Sequence, residues 1–318
     1  MKIDVLGWYF KNNIGDESYK FTFPLLFPGH EFNFFDELKT SATTVILGGG
    51  NILNKEFVDI FNKIKCHKKL CISVGATEFH EVLADEIYVR DIKSLEIIPG
   101  AKYIPDLAFS LTPNYENGRK LIQKFFKNLD LYNQIIVVCP NAHLSDKRNT
   151  LARDHLYYEK FCYELAKLAD ETPASFIFLP FCRSMPWDDR TVCFNIASKC
   201  HFWKKNVVLS EELGVQDVLD VISASTLVLS QRLHASIFSC VSGVPFLDIV
   251  HHDKNKSFLE TINRTDLMIS YWDFSIIYLK ERINHLLLSF ETEKEKLNNM
   301  TSLQRSKLKE VVNDIRLY

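Results

Sequence analysis

Two potential cations, two residues apart, follow a strand-like segment in the second half of the chain. In the run STLVLSQRLHASIFSCVSGVPFL the strand pattern ends at Ser230, and a helical pattern begins between Gln231 and Leu233. Arg232 and His234 then lie in the first helical turn, where the helix dipole disfavours positive charge. Free backbone N–H groups beside an Arg predict an anion-binding site. The residues alone leave open that Arg232 pairs with a neighbouring carboxylate and that His234 is a hydrogen-bonded core histidine.

A second group of polar and glycine residues follows strand-like segments in the first third of the chain. Its members are Asn13, Gly15, Asp16, Glu17, Gly49, Gly50 and Arg90. Glycines allow a ligand to approach the backbone closely, but the spacing is not the G-x-G-x-x-G of dinucleotide sites, and a tight turn is the alternative. The carboxylates of Asp16 and Glu17 either cap a helix or bind sugar hydroxyls. For Arg90 the alternative is a surface pair with Asp91, and for Asp106 it is a turn cap.

Short apolar segments alternate with helical patterns along most of the chain. We predict strands over 2–7, 32–35, 43–50, 69–75, 86–90, 134–140, 174–180, 206–210, 226–230 and 244–250. Residues 104–118 hold two prolines and a glycine without helical periodicity, which predicts a domain boundary followed by a helix over about 119–129. After Trp272 the chain becomes helical and charged.

This alternation predicts an α/β protein with two Rossmann-like, doubly wound domains of the glycosyltransferase-B type and a helical C-terminal tail. The predicted bounds are 1–118 and 119–275 for the domains, with helices in 276–318 that pack back towards the first domain. Ligands of such sheets bind outside the carboxyl ends of the strands. The loops after the strands of both domains are therefore expected to line a cleft.

Composition excludes several classes of protein. The 318 residues are 47% hydrophobic and carry a formal net charge of −2, which gives no general attraction to nucleic acid. The start MKIDVLGWYFKNNIGDE turns polar too early for a secretory signal, and no apolar run reaches the roughly 20 residues of a membrane span. Eight scattered cysteines without C-x-x-C predict reduced thiols in a cytoplasmic protein and no metal site.

The motifs together resemble the polysaccharide pyruvyl transferase family. The second half carries S-x-R-L-H-A, then G-x-P, then a Lys nine residues after the Pro: Ser230, Arg232, Leu233, His234, Ala235, Gly243, Pro245 and Lys254. The first half carries N-x-G-D-E in GWYFKNNIGDES, the glycine loop LGGGNIL, VRDIKS and IPDLAF. The matches fall in family order from residue 5 to about 258.

The resemblance implies an enzyme that uses phosphoenolpyruvate as co-substrate, without a cofactor, to build a pyruvate ketal on a sugar of a glycan or glycolipid. The first domain would then bind the acceptor and the second the donor. It implies Arg232 and Lys254 as anion-binding residues and His234 as the acid that protonates the methylene carbon, with Asp16 and Asp106 as further catalytic candidates. The remaining candidates for substrate binding are Asn13, Gly15, Glu17, Gly49, Gly50, Arg90, Asn141, Arg183 and Ser230.

One position departs from the family pattern. The first strand of the second domain often ends in an Arg that faces phosphoenolpyruvate, whereas this chain has VVCPNAH, with Asn141. Arg148 or Arg183 is expected to supply the missing charge. Two other functions stay open: a glycosyltransferase that binds a nucleotide sugar, and a catalytically silent glycan-binding protein.

Overall fold

The computed structural model describes residues 2–37, 42–127, 134–142 and 152–318, and these form two parallel, six-stranded sheets. The first sheet has the order β2-β1-β3-β4-β5-β6, and the second has the order β12-β11-β10-β7-β8-β9. In both sheets the chain adds strands first on one side of a central strand and then on the other, as in doubly wound folds. The predicted fold class is confirmed.

The strands of the first sheet lie within two residues of their predicted bounds, apart from a short sixth strand that the sequence did not indicate. They are β1 (Lys2–Leu6), β2 (Glu31–Phe35), β3 (Thr44–Gly50), β4 (Lys68–Val74), β5 (Glu86–Val89) and β6 (Lys102–Tyr103). Every residue of β3 is buried, as expected for a central parallel strand covered on both faces.

The second sheet repeats this arrangement. Its strands are β7 (Ile135–Cys139), β8 (Ser175–Phe178), β9 (Asn206–Val208), β10 (Leu227–Ser230), β11 (Phe246–Val250) and β12 (Met268–Ser270). β7 and β10 pair in register, with Val138 opposite Leu229 and Cys139 opposite Ser230. Their carboxyl ends therefore bring the loops after Cys139 and Ser230 to one edge.

Helices connect the strands and form the C-terminal region. They are α1 (Ile14–Glu17), α2 (Tyr19–Leu26), α3 (Lys55–Lys63), α4 (Ile92–Ile97), α5 (Tyr115–Phe125), α6 (Ala152–Glu171), α7 (Arg190–Ser198), α8 (Val215–Ser223), α9 (Leu233–Ser242), α10 (Asp253–Thr261), α11 (Ile276–Leu288) and α12 (Phe290–Asp314). Within the described ranges, no helix combines the length and the apolar character that crossing a bilayer requires.

The predicted start of α5 at residue 119 is wrong by four residues. Asn114 caps the helix, because its side chain accepts a hydrogen bond from the N–H of Asn117 at 3.1 Å. Gly118 lies inside the helix and not in a linker. A Cβ there would lie 1.9 Å from the carbonyl oxygen of Asp220, so the glycine allows α5 to pack closely on α8.

The chain forms two compact units. Unit 1 comprises Met1–Leu111, His252–Thr265 and Met300–Tyr318, and unit 2 comprises Thr112–His251 and Asp266–Asn299. The segment His252–Thr265, which the sequence analysis assigned to the second domain, is thus part of unit 1. The domain bounds 1–118, 119–275 and 276–318 stay a prediction.

Candidate functional site

In unit 1, a buried hydrogen-bonded cluster lies beyond the carboxyl ends of β5 and β6. The Tyr19 hydroxyl donates to Asp106 Oδ2 at 2.7 Å, and Arg90 Nη1 lies 3.0 Å from both the Tyr19 hydroxyl and the same carboxylate oxygen. The side chains of Arg90 and Asp106 are only 5% and 3% exposed. Arg90 therefore pairs with Asp106 and not, as the surface alternative required, with Asp91.

The charges of this cluster compensate one another. Burial raises the pKa of Tyr19, and the neighbouring Asp106 carboxylate raises it further, so the phenol stays protonated as a donor. Burial alone would lower the pKa of Arg90, but Tyr19 and Asp106 outweigh it and raise this pKa. The other oxygen of Asp106 accepts from the N–H of Ala108 at 3.0 Å, which is the turn cap named as an alternative. A catalytic role for Asp106 stays a prediction.

The glycine run at the end of β3 makes room for side chains of the same unit. Gly49 and Gly50 have φ of +73° and +82°, a region that disfavours residues with a Cβ. A Cβ at Gly49 would lie 2.3 Å from the Tyr19 ring, and one at Gly50 would lie 2.8 Å from Asp16 Oδ1. The glycines thus bring the Tyr19 ring and the Asp16 carboxylate against the backbone of β3.

The N-x-G-D-E motif after β1 caps its own helix, α1. Asn13 Oδ1 accepts from the N–H of Gly15 at 3.3 Å, and Asn13 Nδ2 donates to Asp16 Oδ2 at 2.6 Å. Glu17 accepts from the N–H of Lys11 at 3.2 Å and pairs with Lys20. Asp16 stays partly exposed at the carboxyl end of β3, and it is the carboxylate of this motif best placed to meet a ligand.

Lys254 lies in the first turn of α10 and belongs to unit 1, whereas Arg232 belongs to unit 2. α10 packs on α4, where Ser257 Oγ donates to Asp91 Oδ1 at 2.8 Å and accepts from the N–H of Lys93 at 3.2 Å. No single unit therefore brings together the two cations expected to share an anion.

In unit 2, the carboxylate of Asp189 joins the loops that follow three strands. Its Oδ1 accepts from the N–H of Ala142, after β7, at 2.9 Å. Its Oδ2 accepts from the N–H groups of Phe181 and Cys182, after β8, at 3.1 and 2.9 Å. Both oxygens also accept from the guanidinium of Arg232, after β10, with Nε at 2.9 Å from Oδ2. This one buried carboxylate fixes the carboxyl edge of the second sheet.

Arg232 is the N-cap residue of α9, and its side chain is buried together with that of Asp189, at 8% and 0% exposure. The pairing with a carboxylate that the sequence left open is therefore present. Since the two charges cancel, Arg232 does not by itself make this edge positive. A dianionic ligand here needs a further cation.

Ser230 and Gln231 hold the start of α9 in place. Ser230 Oγ donates to the carbonyl of Arg232 at 2.8 Å, which fixes the turn between β10 and the helix. The N–H of Gln231 donates to the carbonyl of Cys139 at 2.9 Å, and Gln231 Oε1 accepts from the N–H of Asn141 at 3.1 Å. Gln231 is 4% exposed, and its side-chain Nε2 lacks a hydrogen-bond partner among the described residues.

His234 lies in the first turn of α9, two residues after Arg232. Its ring is 8% exposed and packs edge-on against Phe238, one helical turn further along, with centroids 6.4 Å apart. The position beside the helix N-terminus and the end of β10 is the one the sequence predicted. Its role in proton transfer stays a prediction.

Arg183 supplies a cation next to the loops that the Asp189 carboxylate joins. It directly follows Cys182, whose N–H binds Asp189, and it is half-buried. Burial lowers the pKa of its guanidinium, and Arg190 lowers it further. Its buried Nε lacks a hydrogen-bond partner in the described parts of the chain. Arg148, the other cation expected to compensate for Asn141, lies outside the described residues.

Sequence reasoning did not find Tyr19, Asp189 or Gln231. Tyr19 belongs to an apolar helix and reads as a core residue, and its partner Asp106 is 87 positions away. Asp189 belongs to an acidic pair directly before a helix that follows a buried strand, and that pattern is a usable signal of a cap. Gln231 sits inside the S-x-R-L-H run, where neither its type nor its spacing suggested a function.

The two parallel sheets, with polar residues gathered beyond their carboxyl ends, place this chain among proteins of the glycosyltransferase-B fold. Solved structures agree. UDP-GlcNAc 2-epimerase from Neisseria meningitidis superposes with a TM-score of 0.61 at 11% identity, over 99% of both chains. The corresponding epimerase from Methanocaldococcus jannaschii gives 0.59 at 12%, over 90% of this chain and 93% of its own. ADP-heptose heptosyltransferase II from E. coli gives 0.55 at 12%, over 92% and 100%. At these identities the likeness shows the fold alone.

The family follows from the sequence. The model of the polysaccharide pyruvyl transferase family matches residues 2–253, so the chain belongs to that family. The suspected resemblance is confirmed, and with it a transferase family that modifies polysaccharides. A comparison with curated proteins gives no match.

Proposed function

We propose that this protein transfers the pyruvyl unit of phosphoenolpyruvate to two hydroxyls of one sugar and forms a pyruvate ketal. One hydroxyl oxygen bonds to the central carbon, and the methylene carbon takes a proton and becomes a methyl group. The bond from the central carbon to the phosphate oxygen breaks, phosphate leaves, and the second hydroxyl closes the ring. Of the two hydroxyl protons, one balances the methyl group and the other leaves with phosphate.

The donor is assigned to the carboxyl edge of the second sheet. Phosphoenolpyruvate carries a carboxylate and a phosphate, and the N-terminus of α9 offers backbone N–H groups for one of them. Arg183 offers a guanidinium that no carboxylate of the described residues pairs with, and Gln231 offers a buried amide Nε2. The Asp189–Arg232 pair orients these loops around the proposed anion site.

His234 is the acid in this scheme. Imidazole exchanges protons readily near neutral pH, and the first turn of α9 places the ring two residues from Arg232. Once His234 has protonated the methylene carbon, the central carbon becomes electrophilic and accepts the sugar oxygen. The imidazole then regains a proton from solvent or from the attacking hydroxyl.

The acceptor is assigned to the carboxyl edge of the first sheet. Asp16 is the partly exposed carboxylate beside the glycines of β3, and its contact with Asn13 fixes one of its oxygens. A carboxylate in this position can accept hydrogen bonds from sugar hydroxyls. The hydrogen bonds among Tyr19, Arg90 and Asp106 support this edge from within the first unit.

The observation that carries the proposal is the family match over residues 2–253, together with the position of Arg183 directly after Cys182, with an Nε that lacks a hydrogen-bond partner among the described residues. We assign the reaction to the cytoplasm, because all eight cysteines are free thiols and such chains are typical of reducing compartments.

Phosphate release tests the proposal directly. The protein is incubated with phosphoenolpyruvate and a panel of sugar acceptors, and we expect release that requires an acceptor, with a new ketal methyl signal by proton NMR. A thermal-shift series with phosphoenolpyruvate and UDP-GlcNAc runs in parallel; a ligand at 100 times its Kd adds about 2.7 kcal/mol to the free energy of unfolding. A response to the nucleotide sugar alone would indicate a glycosyltransferase. Glycan binding without turnover would indicate the silent protein.

A further inference from the structure

A groove that combines aromatic rings with lysines lies in unit 2, away from the residues discussed so far. We call it the aromatic–lysine groove; its lining includes Lys124, Phe125, Phe126, Lys127, Trp203 and Lys204, and it encloses about 460 Å³. Its residues come from the end of α5 and from the loop before β9. That loop enters the amino end of its strand, so the groove lies at the sheet edge opposite to Asp189 and Arg232.

Trp203, the exposed aromatic residue of this groove, lies on a loop that hydrogen bonds hold in place. Trp203 is 70% exposed and the adjacent Phe202 is 59% exposed. Asp170 anchors the backbone beneath them, since its carboxylate accepts from the N–H groups of His201 at 2.8 Å and Phe202 at 3.0 Å. Lys205 adds a hydrogen bond from Nζ to the carbonyl of Thr172 at 2.7 Å. Adjacent exposed rings such as Phe202 and Trp203 form a contiguous apolar patch, and such patches mark contact surfaces.

The lysines of the groove are not engaged elsewhere. In the described part of the chain, Lys124, Lys127 and Lys204 form neither an ion pair nor a side-chain hydrogen bond; Lys124 and Lys204 lie only against the rings of their neighbours, at 5.1 and 5.7 Å. The protein as a whole has a net charge of −2, so these three positive charges in one groove are local and select an anionic ligand.

We infer that the aromatic–lysine groove is a second glycan-binding site, which holds an acidic polysaccharide by its sugar rings and carboxylates. The C–H face of a sugar packs against the Trp203 indole, and the lysine ammonium groups bind carboxylates on neighbouring sugars. The volume suits a short stretch of a chain, since small-ligand sites span roughly 300–1,000 Å³. A concave surface fits a polymer strand better than a membrane, which would contact protruding residues.

The identity of this ligand rests on the proposed function, because a pyruvate ketal leaves one carboxylate on every sugar it modifies. A groove for acidic glycan at the far edge of the sheet would retain stretches of polymer that already carry the ketal. The enzyme would then act preferentially on partly modified polymer, while short acceptors, which cannot span the two edges, would gain nothing from the groove.

Alginate, a polyuronate, serves as the probe, with dextran as its neutral counterpart and vesicles of phosphatidylcholine and phosphatidylglycerol as the membrane surface. We expect the unmodified protein to bind alginate and neither of the other two. Trp203→Ala should weaken alginate binding at least tenfold, and Trp203→Phe should retain most of it. The triple variant K124Q/K127Q/K204Q should lose most of its alginate binding, and the binding that remains should depend little on salt. Matched controls are Phe79→Ala, another exposed aromatic, and K55Q/K167Q/K307Q, which removes the same charge elsewhere.

Three outcomes would each overturn the inference. The protein could bind dextran and alginate equally, or the control variants could lose as much binding as the groove variants. It could also bind vesicles in a way that requires Trp203 while it does not bind alginate. Phosphate release with a monosaccharide acceptor is measured on the same preparations and should be unchanged in Trp203→Ala. Should release from phosphoenolpyruvate be absent in every preparation while alginate binding still requires Trp203, the groove is supported and the proposed function fails.

Discussion

Asp189 and Arg232 form a buried, two-point ion pair that ties the loop before α7 to the start of α9. Breaking a buried pair by removing one partner costs roughly 3–5 kcal/mol, because the remaining charge is left without compensation. We expect Asp189→Asn to lower the free energy of unfolding by about that amount in urea titrations. Arg232→Met should cost less, since the carboxylate of Asp189 keeps its three backbone N–H donors.

The double variant should be less destabilised than the sum of the two single variants, with a coupling of roughly 0.5–3 kcal/mol for groups in direct contact. Asp59→Asn, which removes an exposed partner of Lys55, is the control and should leave unfolding unchanged. Strict additivity of the two single effects would show that the pair does not hold this edge together.

Gly49 gives a test of the first unit. Gly49→Ala combines a positive φ with a methyl group 2.3 Å from the Tyr19 ring, whereas Gly29 has a φ of +84° and no atom within 4 Å of the point where a Cβ would lie. The left-handed backbone conformation alone lowers the free energy of unfolding by about 1–2 kcal/mol once a Cβ is present, and overpacking lowers it by about 1–3 kcal/mol more. We expect Gly49→Ala to lower the unfolding midpoint clearly more than Gly29→Ala. Similar midpoints would mean that Tyr19 moves aside without cost.

Asp16 and Asp106 should respond in opposite ways. Asp16→Asn removes a partly exposed charge that the proposal assigns to the acceptor, so kcat/KM should fall roughly ten- to a hundredfold, as expected for a charged hydrogen bond of about 1.5–3 kcal/mol. Asp106→Asn removes the buried partner of Arg90 and should chiefly lower the free energy of unfolding. Loss of turnover in a folded Asp106→Asn protein, with Asp16→Asn fully active, would reverse the two assignments.

Ten of the twelve strands could be predicted from the sequence, because most are short, continuous apolar runs, as buried parallel strands require. β6 and β12 have only two and three residues, which is too short for such a pattern. The start of α5 could not, since Gly118 reads as a helix breaker until α8 is seen to pack on it. The S-x-R-L-H run identified the start of α9, but the partner of Arg232 lies 43 residues away and no local pattern links the two. Lys254 follows β11 in sequence and yet belongs to the other unit, because α10 packs on α4. Residues fixed by distant contacts are those that local patterns miss.

Arg183 should bind the donor in place of the Arg that the family pattern has where this chain has Asn141. Arg183→Gln removes a guanidinium whose Nε has no partner among the described residues, so phosphoenolpyruvate should bind roughly ten- to a hundredfold more weakly. Arg190→Gln is the matched control, because Arg190 already pairs with Asp188 at 2.6 Å. Isothermal titration with phosphoenolpyruvate measures both variants; equal losses would point to a general effect of charge.

His234→Gln separates catalysis from binding. Glutamine keeps a hydrogen-bonding side chain beside the N-terminus of α9 but cannot deliver a proton to the methylene carbon. General acid catalysis is typically worth 10²–10⁴-fold, so kcat should fall by about that factor while the affinity for phosphoenolpyruvate changes much less. His201→Gln, at an exposed position, is the control. If His234→Gln instead weakens donor binding and leaves the saturated rate unchanged, the residue only holds the donor, and Asp16 becomes the next acid to test.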